Sequence, residues 1–519
     1  MKIKSLLPIF AISLLSSTSA EAKNTVTTVS QVSESVTLTD DVDYVITDAT
    51  PFTTAGSVNI KNTEHAVIII KSIKPSKVIS SWLKTHVFIN GDQAVNGNNC
   101  QVKMYASGAI ILPYAKNIKP LTVYSEQDFG GESCNDFGLE NSDGYMNTLT
   151  DAKLNNKIRS FKLKRGYMVT FSTRKEGRGY SRCFIADKED LEISTLPAIL
   201  DKKISSYRVF VWQNAKKAGL ASDTRTEANA AVNSSWCYTW GLGLDMLPDF
   251  ECVPNHIKED WPSSRECGRV TYSCHMKTNN EPGNTADETP QDVATVLANW
   301  ENLMRTGMRL CSESSHDGSM EHLKAFIDSI DARGWRCDLL DLHCYWPTDK
   351  FNNLNWYSSH YGNGRPIWIS EWVWGASWSN NGAFAVSNRD DYKGNWQNNY
   401  NGTKPILEVL NANSKVERYA FWNSEANCSK IYLDGQLSTL GEYYATMGDD
   451  LGYNPANEFI PKNPPMKAPR NLKASFDKAT KKVTLQWHEV NGEYNQSMDI
   501  MVKTPCSVVF TKLQSVDIQ

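Results

Sequence analysis

No stripe of lysine and arginine runs along this chain of 519 residues, and its formal net charge is -4. A surface built to hold nucleic-acid phosphates is therefore not indicated. No acidic run argues for a disordered, solvating tail. Beyond residue 22 no apolar stretch approaches the length needed to cross a bilayer as a helix, so no integral membrane segment is expected. Cys-x-x-Cys and His-x-Glu sets are also missing. Asp341 and His343, two residues apart, thus fall short of the three or four ligands that zinc needs.

What is present begins with "MKIKSLLPIFAISLLSSTSAEAK". Two lysines, an apolar stretch from Leu6 to Leu15 and a small-x-small site at Ala20-Glu21-Ala22 read as a signal peptide over residues 1–22. No cysteine follows that site to accept a lipid. The mature chain is expected to be soluble and secreted, periplasmic or held at the cell surface. Its 12 cysteines would then meet an oxidising compartment, where bridges form. Cys237, Cys274, Cys311 and Cys344 fall inside apolar runs, however, and read as small buried hydrophobes. The 16 Trp and 21 Tyr suit a large core, and flat rings also suit a sugar-binding cleft.

Residues 23–118 alternate in short β-rich pieces such as "EHAVIIIKSI" and "GAIILPY" and predict a β domain of unknown role. Residues 119–193 form a second β unit. Its Tyr124-x4-Phe129-x-Gly131 spacing, followed by "LNNKIRSFKLKRGYMVTF", resembles a βγ-crystallin Greek-key module. That resemblance implies a calcium ion held by Asn155, Asn156 and Ser160, with Arg159 standing where a hydroxyl is usual. A structural Asn-rich turn is the plain alternative.

From 194 to 457 short apolar runs alternate with helical periodicity, as in "QDVATVLANWENLMRTG" and "EHLKAFIDSIDARG". Strands separated by such helices imply an α/β fold with a parallel sheet, and eight of them a (β/α)8 barrel. The eight candidates are "YRVFVW", "SSWCYTWG", "DFECVP", "VTYSCHMK", "MRLCSES", "CDLLDLHCYW", "PIWISEW" and "VERYAFWN". A Pro- and Asn-rich linker over 458–468 leads to residues 469–519, where "RNLKASFDKATKKVTLQWHEV" resembles the first two strands of a fibronectin type III module with Trp487 in its core. Too few residues follow for the complete sandwich.

On this strand count Glu281 of "NNEP" falls just past the fourth strand and Glu371 of "WISEW" ends the seventh. Working groups of barrel enzymes gather at the C-terminal ends of strands, so both carboxylates should meet at one rim. Such a pair is the equipment for glycoside hydrolysis, one carboxyl donating a proton and the other attacking the anomeric carbon. Taken singly, each has a plain reading, Glu281 as a helix cap and Glu371 as an exposed loop residue. On the sixth strand Asp341, His343 and Tyr345 alternate onto one face. Tyr345 is placed to hydrogen-bond Glu371, and Asp341 is read as half of a buried polar pair. In the tryptophan run at 368, 372, 374 and 378, Trp368 is expected in the core and Trp372 and Trp374 at the rim.

An Asn-Glu pair ending strand four with a Glu ending strand seven is similar to the retaining glycosidases of clan A. The strings "SSWCYTWG", "NNEP", "DLHCYW", "WISEW" and "LSTLGEYY" resemble glycoside hydrolase family 128, endo-β-1,3-glucanases with a compact barrel. The resemblance implies Glu281 as acid/base, Glu371 as nucleophile and Asn280 as a holder of the sugar 2-hydroxyl. It implies sugar contacts at Tyr238, Trp240, His343, Tyr345 and Trp422, alongside the rim residues Trp372 and Trp374. It implies no catalytic cofactor, a β-glucan as substrate and a monomer. Two departures bear on the polymer: "VPNHIKEDW" lacks the aromatic usual after Val-Pro, and "HCYW" replaces His-Trp-Tyr. A mannan or galactan as substrate, or a sugar-binding protein without turnover, remain the alternatives.

Overall fold

The computed structural model describes residues 24–141, 143–221, 225–287, 290–374, 376, 392–423, 429–447, 450–462, 470–488, 497–502 and 511–517. The residues read as a signal peptide, Trp378 and most of the linker lie outside them. Among the described residues no helix is long and apolar enough to cross a membrane.

The first unit opens with parallel strands, and antiparallel pairs follow, among them Val67–Ile70 with Gly108–Leu112. Thr25–Val29, Val42–Ile46 and Val67–Ile70 pair side by side in one sheet, and Ser35–Leu38, Ser57–Ile60 and Val87–Ile89 in another. The chain thus coils, laying one strand on each sheet per turn, around a core that includes Ile46, Val58, Ile60, Ile68 and Val87. Alternation in the sequence indicates strands but not their direction, because the same face pattern serves parallel and antiparallel pairing.

The second unit consists of two four-stranded antiparallel sheets. One orders Ser133–Cys134, Leu121–Tyr124, Ser160–Leu163 and Leu191–Ile193, and the other Asn147–Thr148, Ser206–Val211, Tyr167–Ser172 and Ser181–Ala186. Each half of the chain therefore gives its third strand to the sheet of the other half. Ser206–Val211, expected from "YRVFVW" to open the barrel, is instead the eighth strand here, in register with Tyr167–Ser172 from Val211 to Ser206. Its run of bulky residues reads like a barrel strand because both environments bury it on two faces.

The barrel follows, with its strands parallel. They are β1 (Ala218–Ala221), β2 (Trp236–Tyr238), β3 (Glu251–Val253, continuing as Asn255–His256), β4 (His275–Asn280), β5 (Arg309–Ser315), β6 (Leu339–Cys344), β7 (Ile367–Trp372) and β8 (Val416–Trp422). The first half of β3 pairs with β2 and the second with β4, and β1 pairs with β8, so the sheet comes round on itself with its one interruption at Pro254. Proline lacks the amide hydrogen that a ladder needs. β1, "AGLA", carries little strand signal, and its small residues have a packing cause: a Cβ on Gly219 would lie 2.4 Å from Cε2 of Trp236.

Helices α1 (Thr226–Ala231), α2 (Ser264–Arg269), α3 (Val293–Arg305), α4 (Met320–Arg333), α5 (Leu354–His360), α6 (Tyr392–Ala412) and α7 (Thr439–Ala445) surround these strands. In α4, Met320, Leu323, Phe326, Ile327 and Ile330 recur at helical spacing and are buried, and Gly334 ends the helix in the left-handed region at φ 66°. Asp292 caps α3 by accepting the Thr295 amide at 2.7 Å. The Cys237, Cys274, Cys311 and Cys344 thiols are buried and unbridged, as their apolar settings implied.

C-terminal to the barrel the described residues form two separate hairpins, Arg470–Asp477 with Lys482–His488 and Ser497–Val502 with Thr511–Asp517. The first matches the two strands expected around Trp487, which is half-buried.

Candidate active site

The barrel interior is layered from its N-terminal to its C-terminal end. At the bottom Arg418 pairs with Glu251 at 2.7 Å, Glu251 with His275 at 2.9 Å and Arg309 with Glu417 at 2.6 Å, all buried. Glu251, Cys274 and His275 gather there in a group of ligating type, but Arg418 already supplies the positive charge. Trp236 and Trp368 pack above it with ring centroids 5.1 Å apart. The next layer is ionic. Lys277 Nζ donates to Asp341 Oδ2 at 2.9 Å, to Ser314 Oγ at 2.8 Å and to Ser370 Oγ at 2.6 Å. This is the buried polar pair anticipated for Asp341, with Lys277 as the partner that sequence alone did not name.

Above Lys277 lies the carboxylate pair. Glu281 leaves β4 where the backbone is forced into the left-handed region twice, at Asn279 (φ 41°) and at Glu281 itself (φ 40°). Non-glycine residues adopt this conformation at a cost, and such strain collects where a side chain must be aimed. Glu371 leaves β7 through an extra residue. Leu342 pairs with Ile369 and His343 with Glu371, so one step on β6 spans two on β7. This bulge turns Ser370 and Glu371 both toward the barrel interior.

The same bulge corrects one expectation. Strict alternation from Trp368 would bring Trp372 inward, toward the mouth; with the register shifted it faces the helices instead, fully buried against Tyr419 and Phe421. Trp374 is half-buried over Gly402 of α6 and also stands away from the cleft.

The two glutamates meet. One ligating atom each from Glu281, His343 and Glu371 lie within 4.8 Å of one another. His343 Nδ1 is 2.6 Å from Glu281 Oε1 and 3.5 Å from Glu371 Oε2. Tyr238 and Tyr345 donate to the two oxygens of Glu371 at 2.6 and 2.7 Å. Asn284, three residues past Glu281, donates to Glu281 Oε2 at 2.7 Å.

The electrostatics follow from these contacts. Burial alone would raise Glu281, but the hydrogen bond and charge of His343, with help from Asn284, carry it down to about 2. Burial likewise presses His343 down, and the two carboxylates outweigh it and raise it above the ordinary histidine range. Burial and then the charge of Glu371 push Tyr238 and Tyr345 well above theirs, so both remain donors. Both shifts act in the same direction, favouring the proton on His343, one hydrogen bond from Glu281.

A cleft of about 1000 Å³ opens over the pair. Asn280 lines it, with Nδ2 3.3 Å from Asp287 and a buried Oδ1 that has no partner among the described residues. Trp240 and Trp422 also line it, Trp240 being 42 % exposed and Trp422 packed edgewise on Tyr345 at 5.4 Å. Sequence reasoning missed much of this wall, His316 and Trp261 among it. His316 follows β5, and Trp261, 55 % exposed, tips a tight turn in which Lys258 and Trp261 exchange backbone hydrogen bonds. Trp261 belongs to "VPNHIKEDW", seven residues past Pro254.

Residues 210–444 match the family model described as glycosyl hydrolase catalytic core. No curated protein matches the chain. Among solved structures, the chain is similar to an endo-β-1,3-glucanase of glycoside hydrolase family 128, subgroup I, from Amycolatopsis mediterranei in complex with laminaritriose, at 23 % identity and TM-score 0.38 over 45 % of this chain and 99 % of that one. It is similar to a subgroup III curdlan-specific exo-β-1,3-glucanase from Blastomyces gilchristii at 21 % identity and TM-score 0.35, over 44 % and 98 %. A subgroup VII oligosaccharide-binding protein from Trichoderma gamsii shares 19 % identity at TM-score 0.35, over 44 % and 92 %.

The residues singled out for calcium lie far from this cleft, in the Greek-key unit. Ser160 Oγ donates to the Glu126 carbonyl at 2.6 Å and accepts the Phe129 amide at 3.1 Å, and Asn156 Oδ1 accepts from Ser205 at 2.9 Å. Asn155 Oδ1 is buried without a partner among the described residues. The nearby carboxylates Asp201 and Glu126 pair with Arg159 at 3.1 and 3.4 Å. Calcium needs six or more oxygens, so this set, with its charges already met by a guanidinium, does not fit the ion.

Proposed function

We propose that this chain is an exported retaining glycoside hydrolase that cleaves β-1,3-glucan within the chain. The observation that carries the reading is the approach of Glu281 and Glu371 to within 4.8 Å, from the ends of β4 and β7. Inverting enzymes keep their carboxyl groups about 6.5–9.5 Å apart to admit a water, whereas retaining ones bring them to about 5 Å. The match to a glycosyl hydrolase catalytic core supports the reaction class, and the β-1,3 linkage rests on the strings that resemble family 128.

The mechanism follows from the contacts. Tyr238 and Tyr345 each donate to one oxygen of Glu371 and fix its orientation, and it attacks the anomeric carbon. Glu281 delivers a proton to the departing glycosidic oxygen. In the free site that proton sits on His343 Nδ1, and a saccharide filling the cleft excludes water and favours its transfer across 2.6 Å to Glu281. The transfer leaves a neutral imidazole and a single negative charge on Glu371. Glu281, then ionised, takes a proton from the water that releases the sugar from Glu371. Asn280 Oδ1 is free to accept from the sugar 2-hydroxyl.

The experiment is reducing-end release from laminarin, mannan and galactan by the wild type and by Glu281→Gln and Glu371→Gln, with the first-formed anomer read by proton NMR. Laminarin cleavage with the β-anomer first, lost in both variants, supports the proposal. Full activity in both variants ends it.

A further inference from the structure

We infer that the exposed face of α5 and of the turn before it is a second saccharide site, which holds a neutral polysaccharide chain beside the cleft. Residues 352–360, "NNLNWYSSH", contain no charged carboxylate, lysine or arginine. Asn352, Asn355, Trp356, Ser359 and His360 recur at helical spacing, and all are exposed. A helix face on a soluble protein ordinarily spends its exposed positions on charge. This one instead offers amides, a hydroxyl and a flat indole. The Asn352 and Asn355 amides make no hydrogen bond within the described residues, and each can both donate and accept. Uncharged two-way hydrogen-bonding groups around one ring are the complement of a pyranose, whose hydroxyls donate and accept and whose C–H face is apolar.

The ring is held, not merely exposed. Trp356 is 52 % exposed, yet His360 stacks on it at 4.6 Å and 12°, and Tyr357 and Tyr361 meet it edgewise at 5.2 and 5.5 Å. A fixed indole loses little freedom on binding, and that is what a weak, repeating ligand requires. The patch is also packed against the cleft wall through buried rings. Trp346 lines the cleft wall and packs on Tyr357 at 4.7 Å, and Tyr357 carries Trp356. Lys350 lies over the Trp346 ring at 4.6 Å and is anchored to Asp317, another cleft residue, at 2.5 Å.

That the occupant is the enzyme's own polymer rests on the proposed function; that it is a neutral saccharide rests on the patch alone. The test uses the full chain in two measurements. Retention on insoluble β-1,3-glucan, mannan and cellulose is compared for wild type, Trp356→Ala, Trp356→Phe and Asn355→Ala. Turnover of a soluble β-1,3-linked hexasaccharide is followed in parallel. The expected result is about fivefold or greater loss of retention in Trp356→Ala, partial recovery in Trp356→Phe, and hexasaccharide turnover within about twofold of wild type. Retention of every variant equal to wild type overturns the inference, as does a wild type that binds no polymer. If instead no polymer is hydrolysed while a Trp356-dependent retention remains, the second site stands and the hydrolase reading falls.

Discussion

His343 Nδ1 and Glu281 Oε1 lie 2.6 Å apart with no room for water between them. On the proposed mechanism their contact makes the acid and its proton source one unit, and it fixes a sign. The folded His343 is raised above the ordinary value near 6.5, so the stability it contributes is complete below that pH and is lost as pH rises through the folded value. Glu281, held at about 2, contributes stability above its ordinary carboxyl range and loses it only as pH falls toward about 2. The gap in thermal midpoint between wild type and His343→Gln should therefore be widest below about pH 6.5 and narrow as pH rises through the raised folded value. A gap independent of pH would show that His343 is neutral throughout.

Tyr238 and Tyr345 each donate to one oxygen of Glu371. Hydrogen bonds to a charged partner are worth about 1.5–3 kcal/mol, so Tyr345→Phe and Tyr238→Phe should each lower kcat about ten- to a hundredfold. Both act on one carboxylate, and the double variant should lose less than the product of the singles. Steady-state kinetics on laminarin read both effects.

Lys277 is fully buried and its principal counter-charge is Asp341. Lys277→Met strands that carboxylate and should destabilise the protein by about 3–5 kcal/mol in urea unfolding. Lys277→Met with Asp341→Leu removes both charges and should recover a large part of the loss. If the double variant is no better than the single, the layer's worth lies in its packing.

Trp261 projects into the cleft wall from a turn and touches neither glutamate. Trp261→Ala should raise KM for laminarin about three- to tenfold with kcat nearly unchanged, the signature of binding lost equally from ground and transition states. A fall in kcat at constant KM would place the indole at the reacting sugar instead.

The sequence by itself determined the ingredients: parallel strands alternating with helices, two carboxylates assigned to strands four and seven, a tyrosine aimed at one of them and thiols that stay buried. Period and composition carry those facts because each is local. Only the tertiary structure decided the register. Ser370 is the extra residue on β7 that turns Glu371 inward and Trp372 outward, and no local preference announces a bulge whose cause is the neighbouring strand. The first barrel strand was likewise invisible, since "AGLA" is small to admit the Trp236 ring rather than to favour extended backbone. Lys277 and Asp341 lie 64 residues apart on β4 and β6, and what brings them together is the packing of the barrel interior.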